Sequence, residues 1–130
     1  MKTVYTTILL VLFVSLLMAN AVLIEWKADP EQDKVVLQWK TSQENDVQKF
    51  VIERSIDNKN FTNIGEVISR GPGYQYRFED TNLGRAKSIF YYRLRIVNND
   101  GTFDYSDALQ VIASINSITR TWGTIKAWFR

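Results

Sequence analysis

A run of alternating residues followed by a tight-turn pair constrains the fold of this chain more than any other feature. Apolar side chains at positions 92, 94 and 96 alternate with Arg93 and Arg95, which is the two-residue period of a half-buried β-strand. Asp100-Gly101 follows, and this pair is typical of a tight hairpin turn because glycine readily takes a positive φ. A second extended run covers residues 102–113. The stretch therefore predicts a β-hairpin.

Five more short runs with strand character precede this hairpin. They cover residues 23–28, 34–40, 50–55, 61–67 and 74–80, and turn-forming residues separate them. Pro30 is expected to end the first strand, and the polar residues 41–48 are expected to form a loop. No credible helix lies between these runs. Seven short strands at even spacing predict an all-β sandwich or barrel.

The N-terminal residues have the three-part layout of a secretory signal peptide. Lys2 precedes an apolar run over residues 8–18, and Ala19-Asn20-Ala21 then places small residues where a signal peptidase cleaves. We expect a signal peptide over residues 1–21, with cleavage after Ala21. The alternative is an uncleaved anchor from Val4 to Ile24, which is long enough to span a bilayer. Both interpretations place the globular part outside the cytoplasm.

The residue types that are missing restrict the possible chemistry. The chain has no cysteine and no histidine, which excludes disulfides and thiol chemistry and removes the commonest general base and transition-metal ligand. There is no glycine-rich phosphate loop and no nucleophile elbow. The formal net charge of +2 is too small to indicate nucleic-acid binding. We therefore predict a protein that is not an enzyme, with no metal, no cofactor and no nucleic-acid partner.

Two groups of motifs carry a resemblance to a known module. The first is Leu37-Gln38-Trp39-Lys40-Thr41 with the later runs 50–55 and 64–67. The second is Tyr91-Tyr92-Arg93-Leu94 with Asp100-Gly101 and Tyr105-Ser106. Together they resemble the fibronectin type III-like module of secreted and cell-surface proteins of type IX-secreting bacteria. The resemblance covers about residues 34–113.

This resemblance implies an immunoglobulin-like fold. We expect a seven-stranded antiparallel β-sandwich over residues 22–114. The residues expected between its sheets share one phase on their strands; they are Leu37, Trp39, Phe50, Ile52, Phe78, Tyr92, Leu94, Ile96, Leu109 and Val111. The Tyr92 hydroxyl is expected to bond back to the loop of residues 81–87.

Charged residues on the predicted strands have two interpretations. Glu53, Arg54, Arg93 and Arg95 could form an anion-binding patch or a cross-strand charge ladder on a solvated face, and the ladder is favoured. The acidic turns at residues 57–60 and 98–101 could be mistaken for calcium loops. Turn chemistry is the favoured explanation, because a hairpin needs Asn, Asp or Gly at such positions.

The C-terminal residues 115–130 form a separate basic and aromatic tail. In a helix, apolar side chains spaced three and four residues apart would make one stripe, and the only charges are positive. We predict that this tail contacts a partner or a membrane interface; a disordered tail and an added strand or cap are the alternatives. The predicted contact residues are Ile115, Ile118, Arg120, Trp122, Ile125, Lys126, Trp128, Phe129 and Arg130.

These observations favour an extracytoplasmic, non-enzymatic binding or structural module that mediates protein–protein or surface interactions. The first alternative is an accessory subunit of a membrane or envelope complex, held by its terminal segments. The second alternative is a carbohydrate-binding domain, which an exposed row of Trp or Tyr on one sheet face would favour.

Overall fold

The computed structural model describes residues 20–84 and 88–113, which form two antiparallel sheets packed face to face. The strands are β1 (Ala21–Glu31), β2 (Lys34–Glu44), β3 (Val47–Ser55), β4 (Thr62–Ile68), β5 (Tyr76–Asp80), β6 (Ser88–Asn98), β7 (Phe103–Tyr105) and β8 (Leu109–Ala113). The first sheet has the order β1-β2-β5. The second has the order β4-β3-β6-β7, and β8 also pairs with β6. The prediction of an all-β antiparallel sandwich is therefore confirmed.

Aromatic side chains fill the space between the sheets. The indole of Trp39 stacks on the ring of Tyr76, with centroids 5.3 Å apart and planes only 9° from parallel. Phe50, which belongs to the opposite sheet, contacts the same indole edge-on, with ring centroids 5.7 Å apart. Eight of the ten predicted core residues are buried, and only Phe78 and Leu109 are partly exposed. Phe78 lies on an edge strand and Leu109 begins a strand, so each lacks a neighbour on one side.

The prediction of seven strands is wrong, because the expected last strand is broken into β7 and β8. At the break, the Leu94 amide donates a hydrogen bond to the Ser106 hydroxyl at 2.8 Å instead of to a backbone carbonyl. The indole N–H of Trp26, from the first sheet, donates to the Asp107 carbonyl at 2.9 Å. A side chain thus replaces one step of the β6 ladder, and the other sheet holds the displaced backbone.

Two predicted strand boundaries also need correction. Pro30 does not end β1, which continues to Glu31. Proline is tolerated there because β1 is an edge strand in the β1-β2-β5 sheet. The predicted loop over residues 41–48 shrinks to Asn45 and Asp46, with a positive φ of 58° at Asp46. Asn and Asp tolerate this left-handed conformation, so a two-residue turn suffices.

Replacing Trp39 by Ala should lower the free energy of unfolding by about 3–5 kcal/mol, because the indole is fully buried among three aromatic neighbours. Urea denaturation of the variant and the parent measures the difference. Ile24→Ala is the control, since this exposed side chain should change stability by less than about 0.5 kcal/mol. A Trp39→Ala loss below about 1 kcal/mol would contradict the packing described here.

Candidate interaction face

The outer faces of the two sheets differ sharply in composition. The outer face of the three-stranded sheet carries salt bridges between surface side chains: Lys34–Glu79 at 3.1 Å, Arg77–Glu79 at 2.8 Å and Lys27–Glu25 at 3.3 Å. Such exposed pairs are ordinary features of a solvated surface and contribute little to stability. These three pairs therefore need no ligand to account for them.

The outer face of the five-stranded sheet combines half-exposed aromatic rings with arginines. Phe103 is 47% exposed and Tyr105 is 48% exposed. Both lie on β7, which pairs with β6. Beneath the side chains of this face, Val51 and Glu53 of β3 are buried although they point away from the core between the sheets. We call this surface the aromatic–arginine face; it consists of Phe61, Arg93, Arg95, Phe103 and Tyr105, with Glu53 at its base.

Arg93 is held on both sides by aromatic rings. Its guanidinium carbon lies 3.9 Å from the ring centroid of Phe61 and 3.8 Å from that of Tyr105. Its Nε donates a hydrogen bond of 2.7 Å to Glu53 Oε1. Stacking and a charge-assisted hydrogen bond together fix a side chain that is normally mobile.

Arg95 lies beside Arg93 on the same face, two residues further along β6. Its guanidinium carbon is 5.3 Å from the ring centroid of Phe103, and its Nε is 3.7 Å from Glu53 Oε2. That distance is too long for a hydrogen bond, and the buried Nε has no hydrogen-bond partner among the described residues. Glu53 is thus one carboxylate shared by two arginines.

The charges on and beside this face leave a positive excess. Arg93 and Arg95 share Glu53, and the neighbouring Lys49 and Glu66 of the same outer surface pair with each other. A hydrogen bond and the charge of Lys49 hold the pKa of Glu66 below its usual range, with a smaller contribution from Arg95. Glu66 therefore remains ionised at neutral pH and is already paired. The predicted ladder between Glu53 and the two arginines is present, but it is overlaid with aromatic rings that the ladder interpretation did not include.

Arg54 does not belong to this face, which corrects its predicted place in the ladder. It points between the sheets, where its Nη1 donates to both Asp80 oxygens at 3.0 and 2.8 Å and to the Asn82 carbonyl at 3.0 Å. The Tyr92 hydroxyl donates to Asp80 Oδ2 at 2.7 Å. The Tyr92 hydroxyl was expected to bond to the loop of residues 81–87. It bonds instead to Asp80, the last residue of β5. The arrangement joins the two sheets by one buried carboxylate.

An open cleft of about 420 Å³ lies beside this ion pair, between β4 and β5. Hydroxyl and amide side chains line much of it, and the Arg54–Asp80 pair forms its polar wall. Both charged groups are already satisfied by each other and by their neighbours. Glu79, which also lines the cleft, is paired with Lys34 and Arg77.

The acidic turns behave as predicted. Asp57 Oδ1 accepts hydrogen bonds from the Lys59 and Asn60 amides and the Ser55 hydroxyl, and these bonds hold the pKa of Asp57 far below its usual range. Asp100 similarly accepts from Thr102. Turn chemistry accounts for both. Within residues 20–84 and 88–113, no group of three acidic side chains is arranged to hold a metal ion.

The sequence-predicted contact residues of the tail, from Ile115 to Arg130, lie outside the described residues, as do residues 1–19 of the predicted signal peptide. Residues 20–84 and 88–113 contain no candidate membrane-spanning helix. Arg93, Arg95 and Glu53 were predicted as candidates from the sequence, but the rings that hold them were not. The available signal was the two-residue spacing of Phe103 and Tyr105, which matches the spacing of the two arginines on the preceding strand.

Two solved structures resemble this chain in fold. No protein-family model matches the chain, and no curated protein matches it. Among solved structures, a β-1,2-glucanase from Parabacteroides distasonis superposes with a TM-score of 0.53 at 19% identity over 73% of this chain. Pectate lyase PelI from Erwinia chrysanthemi, solved with tetragalacturonic acid, superposes with a TM-score of 0.55 at 18% identity over 72% of this chain. The chain spans only 12% and 28% of the lengths of these two proteins, so the similarity concerns one module-sized part of each.

The Tyr92–Asp80 hydrogen bond predicts a loss of stability at alkaline pH. Burial, and then the neighbouring carboxylate, raise the pKa of Tyr92 well above its ordinary value of 10.0. The unfolded chain loses this proton near pH 10 while the folded chain keeps it, so the contribution is fully present below pH 10 and is lost as the pH rises above it. The free energy of unfolding should fall by up to about 1.4 kcal/mol per pH unit through this group.

Urea denaturation at a series of pH values from 9 to about 11.5 measures this slope. Tyr92→Phe should be less stable than the parent at neutral pH and should lose a large part of the alkaline slope. Burial also raises the pKa of Tyr76, so this residue should supply part of the slope that remains. Equal slopes in the variant and the parent would contradict the assignment.

Proposed function

We propose that this protein is an extracytoplasmic, non-enzymatic interaction module of fibronectin type III-like fold, and that it binds another protein through the aromatic–arginine face. The single observation that carries the proposal is the pair of half-exposed rings of Phe103 and Tyr105 beside arginines that are already held in place. Aromatic side chains and arginine are the residue types enriched in protein interfaces, and rigid side chains lose little entropy on binding.

The strand order supports the finer fold assignment. Strands one, two and five form one sheet, and strands three, four and six form the other with the two short final strands. This division is that of an immunoglobulin-like sandwich in which the fourth strand pairs with the third. Trp39 and Tyr92 are fully buried, as the resemblance implies.

A non-enzymatic role is supported by what the described carboxylates do. Asp80 is bound by Arg54 and Tyr92, Glu53 is bound by Arg93, and Glu44 accepts from Tyr76 and Ser69. Each has a structural partner, and the whole chain lacks histidine and cysteine. The two carboxylates that line the cleft between β4 and β5, Asp80 and Glu79, both have such partners.

Carbohydrate binding is the second candidate. The exposed rings of β7 favour it, since sugars stack on aromatic faces, and the two structurally similar proteins are a glucanase and a pectate lyase. The geometry is less suitable for it, because the planes of Phe103 and Tyr105 stand at 70° to each other and cannot form one flat platform. Protein binding is therefore the preferred function.

The extracytoplasmic location and an accessory-subunit role rest on the sequence of the terminal segments. The signal-peptide pattern of residues 1–21 supports export, and the basic aromatic tail of residues 115–130 supports a second contact with an envelope complex or a membrane interface. In an accessory subunit, the face on the sandwich and the tail would act together. Two linked contacts bind more tightly than either contact alone.

Co-purification from the native envelope tests the proposed function. The tagged full chain with Phe103→Ser and Tyr105→Ser should lose at least about tenfold of its co-purifying protein, because the substitutions remove both exposed rings and one stacking partner of Arg93. Tyr74→Ser is the matched control, since this ring is 43% exposed but lies off the face. Equal recovery with the face variant and the Tyr74 variant would refute the proposal.

A further inference from the structure

The aromatic–arginine face presents two guanidinium groups whose outer ends remain available to a partner. Both arginines face Glu53 through Nε, at 2.7 Å for Arg93 and 3.7 Å for Arg95, and their side chains are 25% and 32% exposed. The Nε of Arg95 is buried, so a partner would meet the Nη groups, which bond to no acceptor in the described residues. The rings of Tyr105 and Phe103 hold the two guanidiniums in position. Guanidinium groups fixed in this way are suited to planar, bidentate acceptors, of which carboxylate is the one that proteins carry.

The spacing of the two arginines restricts how such carboxylates are arranged. Arg93 and Arg95 are two residues apart on β6 and lie on the same side of the sheet, about 6.6 Å apart along the strand. In an extended peptide, side chains two residues apart also lie on one side at this spacing. Carboxylates at such positions can therefore each reach one arginine, whereas adjacent carboxylates point to opposite sides.

The same face becomes apolar towards the other end of β6. Ile89 is 44% exposed and its cross-strand partner Ile112 is 54% exposed, and both point outward. Residue 89 lies about 20 Å along the strand from Arg95, a distance that an extended segment of about seven residues spans. The surface thus offers two cations at one end and an aliphatic pair at the other.

We infer that the partner binds through an extended acidic segment, with carboxylates two residues apart on Arg93 and Arg95 and an apolar side chain on the Ile89–Ile112 pair; this inference rests on the proposed function. The positive excess of the face complements such a segment. The perpendicular rings of β7 disfavour a flat saccharide in the same place.

Titration of the isotope-labelled full chain with three synthetic nine-residue peptides tests the inference. The first peptide has two glutamates separated by one residue and a leucine six residues from the outer glutamate. The second has the same composition with adjacent glutamates. The third has glutamines in place of the glutamates of the first. The first peptide should bind at least about tenfold more tightly than the other two, with weaker binding at high salt. Backbone amide shifts should concentrate in residues 89–97 and 103–112.

Two charge-matched variants locate the effect. Arg95→Gln should reduce the preference for the first peptide to within about twofold. Lys40→Gln removes one positive charge from the outer face of the other sheet and should leave the preference unchanged. The amide spectrum of each variant shows whether the sandwich is still folded, so that lost binding is not confused with unfolding.

Three outcomes would overturn the inference. They are equal binding of the three peptides, an equal effect of the two variants, and an oligogalacturonate of similar charge that binds about tenfold more tightly than the first peptide and requires Arg95. These failures differ from a failure of the proposed function. If the Phe103 and Tyr105 substitutions abolish co-purification while the three peptides bind alike, the face is an interface and only the acidic segment is wrong.

Discussion

One carboxylate between the sheets organises this sandwich. Asp80, at the end of β5, accepts two hydrogen bonds from Arg54 on β3 and one from Tyr92 on β6. These bonds tie an edge strand of one sheet to the two central strands of the other, in a chain that has no cysteine for a disulfide. Because a buried carboxylate is costly unless it is paired, an arrangement of the sheets that separated Asp80 from Arg54 and Tyr92 would be disfavoured.

The orientation of Arg54 also determines what the opposite side of β3 presents. Successive side chains of a strand point to opposite faces, so Arg54 between the sheets requires Glu53 to point outward. Glu53 then supplies the counter-charge that allows Arg93 and Arg95 to lie together over a mostly buried surface. The core contact and the candidate binding face are thus two consequences of one strand phase. A one-residue slip of β3 would destroy both.

The alternation of apolar and polar residues predicted the sandwich and most of its core, because burial on a strand depends on local phase. Trp39, Phe50, Tyr92 and Leu94 could be placed for this reason. The break between β7 and β8 could not, since it depends on the Trp26 indole reaching the Asp107 carbonyl from the other sheet. The same limit applies to the face. The arginines were visible in the sequence, but their contacts with Phe61 and Phe103 require knowledge of the strand pairing.

Hydroxyl-radical footprinting of the full chain, in cells that produce it and after purification, tests most directly whether the outer face of the five-stranded sheet is a binding surface. Three aromatic side chains of nearly equal exposure report on it: Phe103 and Tyr105 on the face, and Tyr74 away from it. We expect oxidation of Phe103 and Tyr105 to be lower in the cells than in the purified protein, while oxidation of Tyr74 is the same in both. Protection of Tyr74 alone, or equal oxidation of all three in both samples, would contradict this expectation.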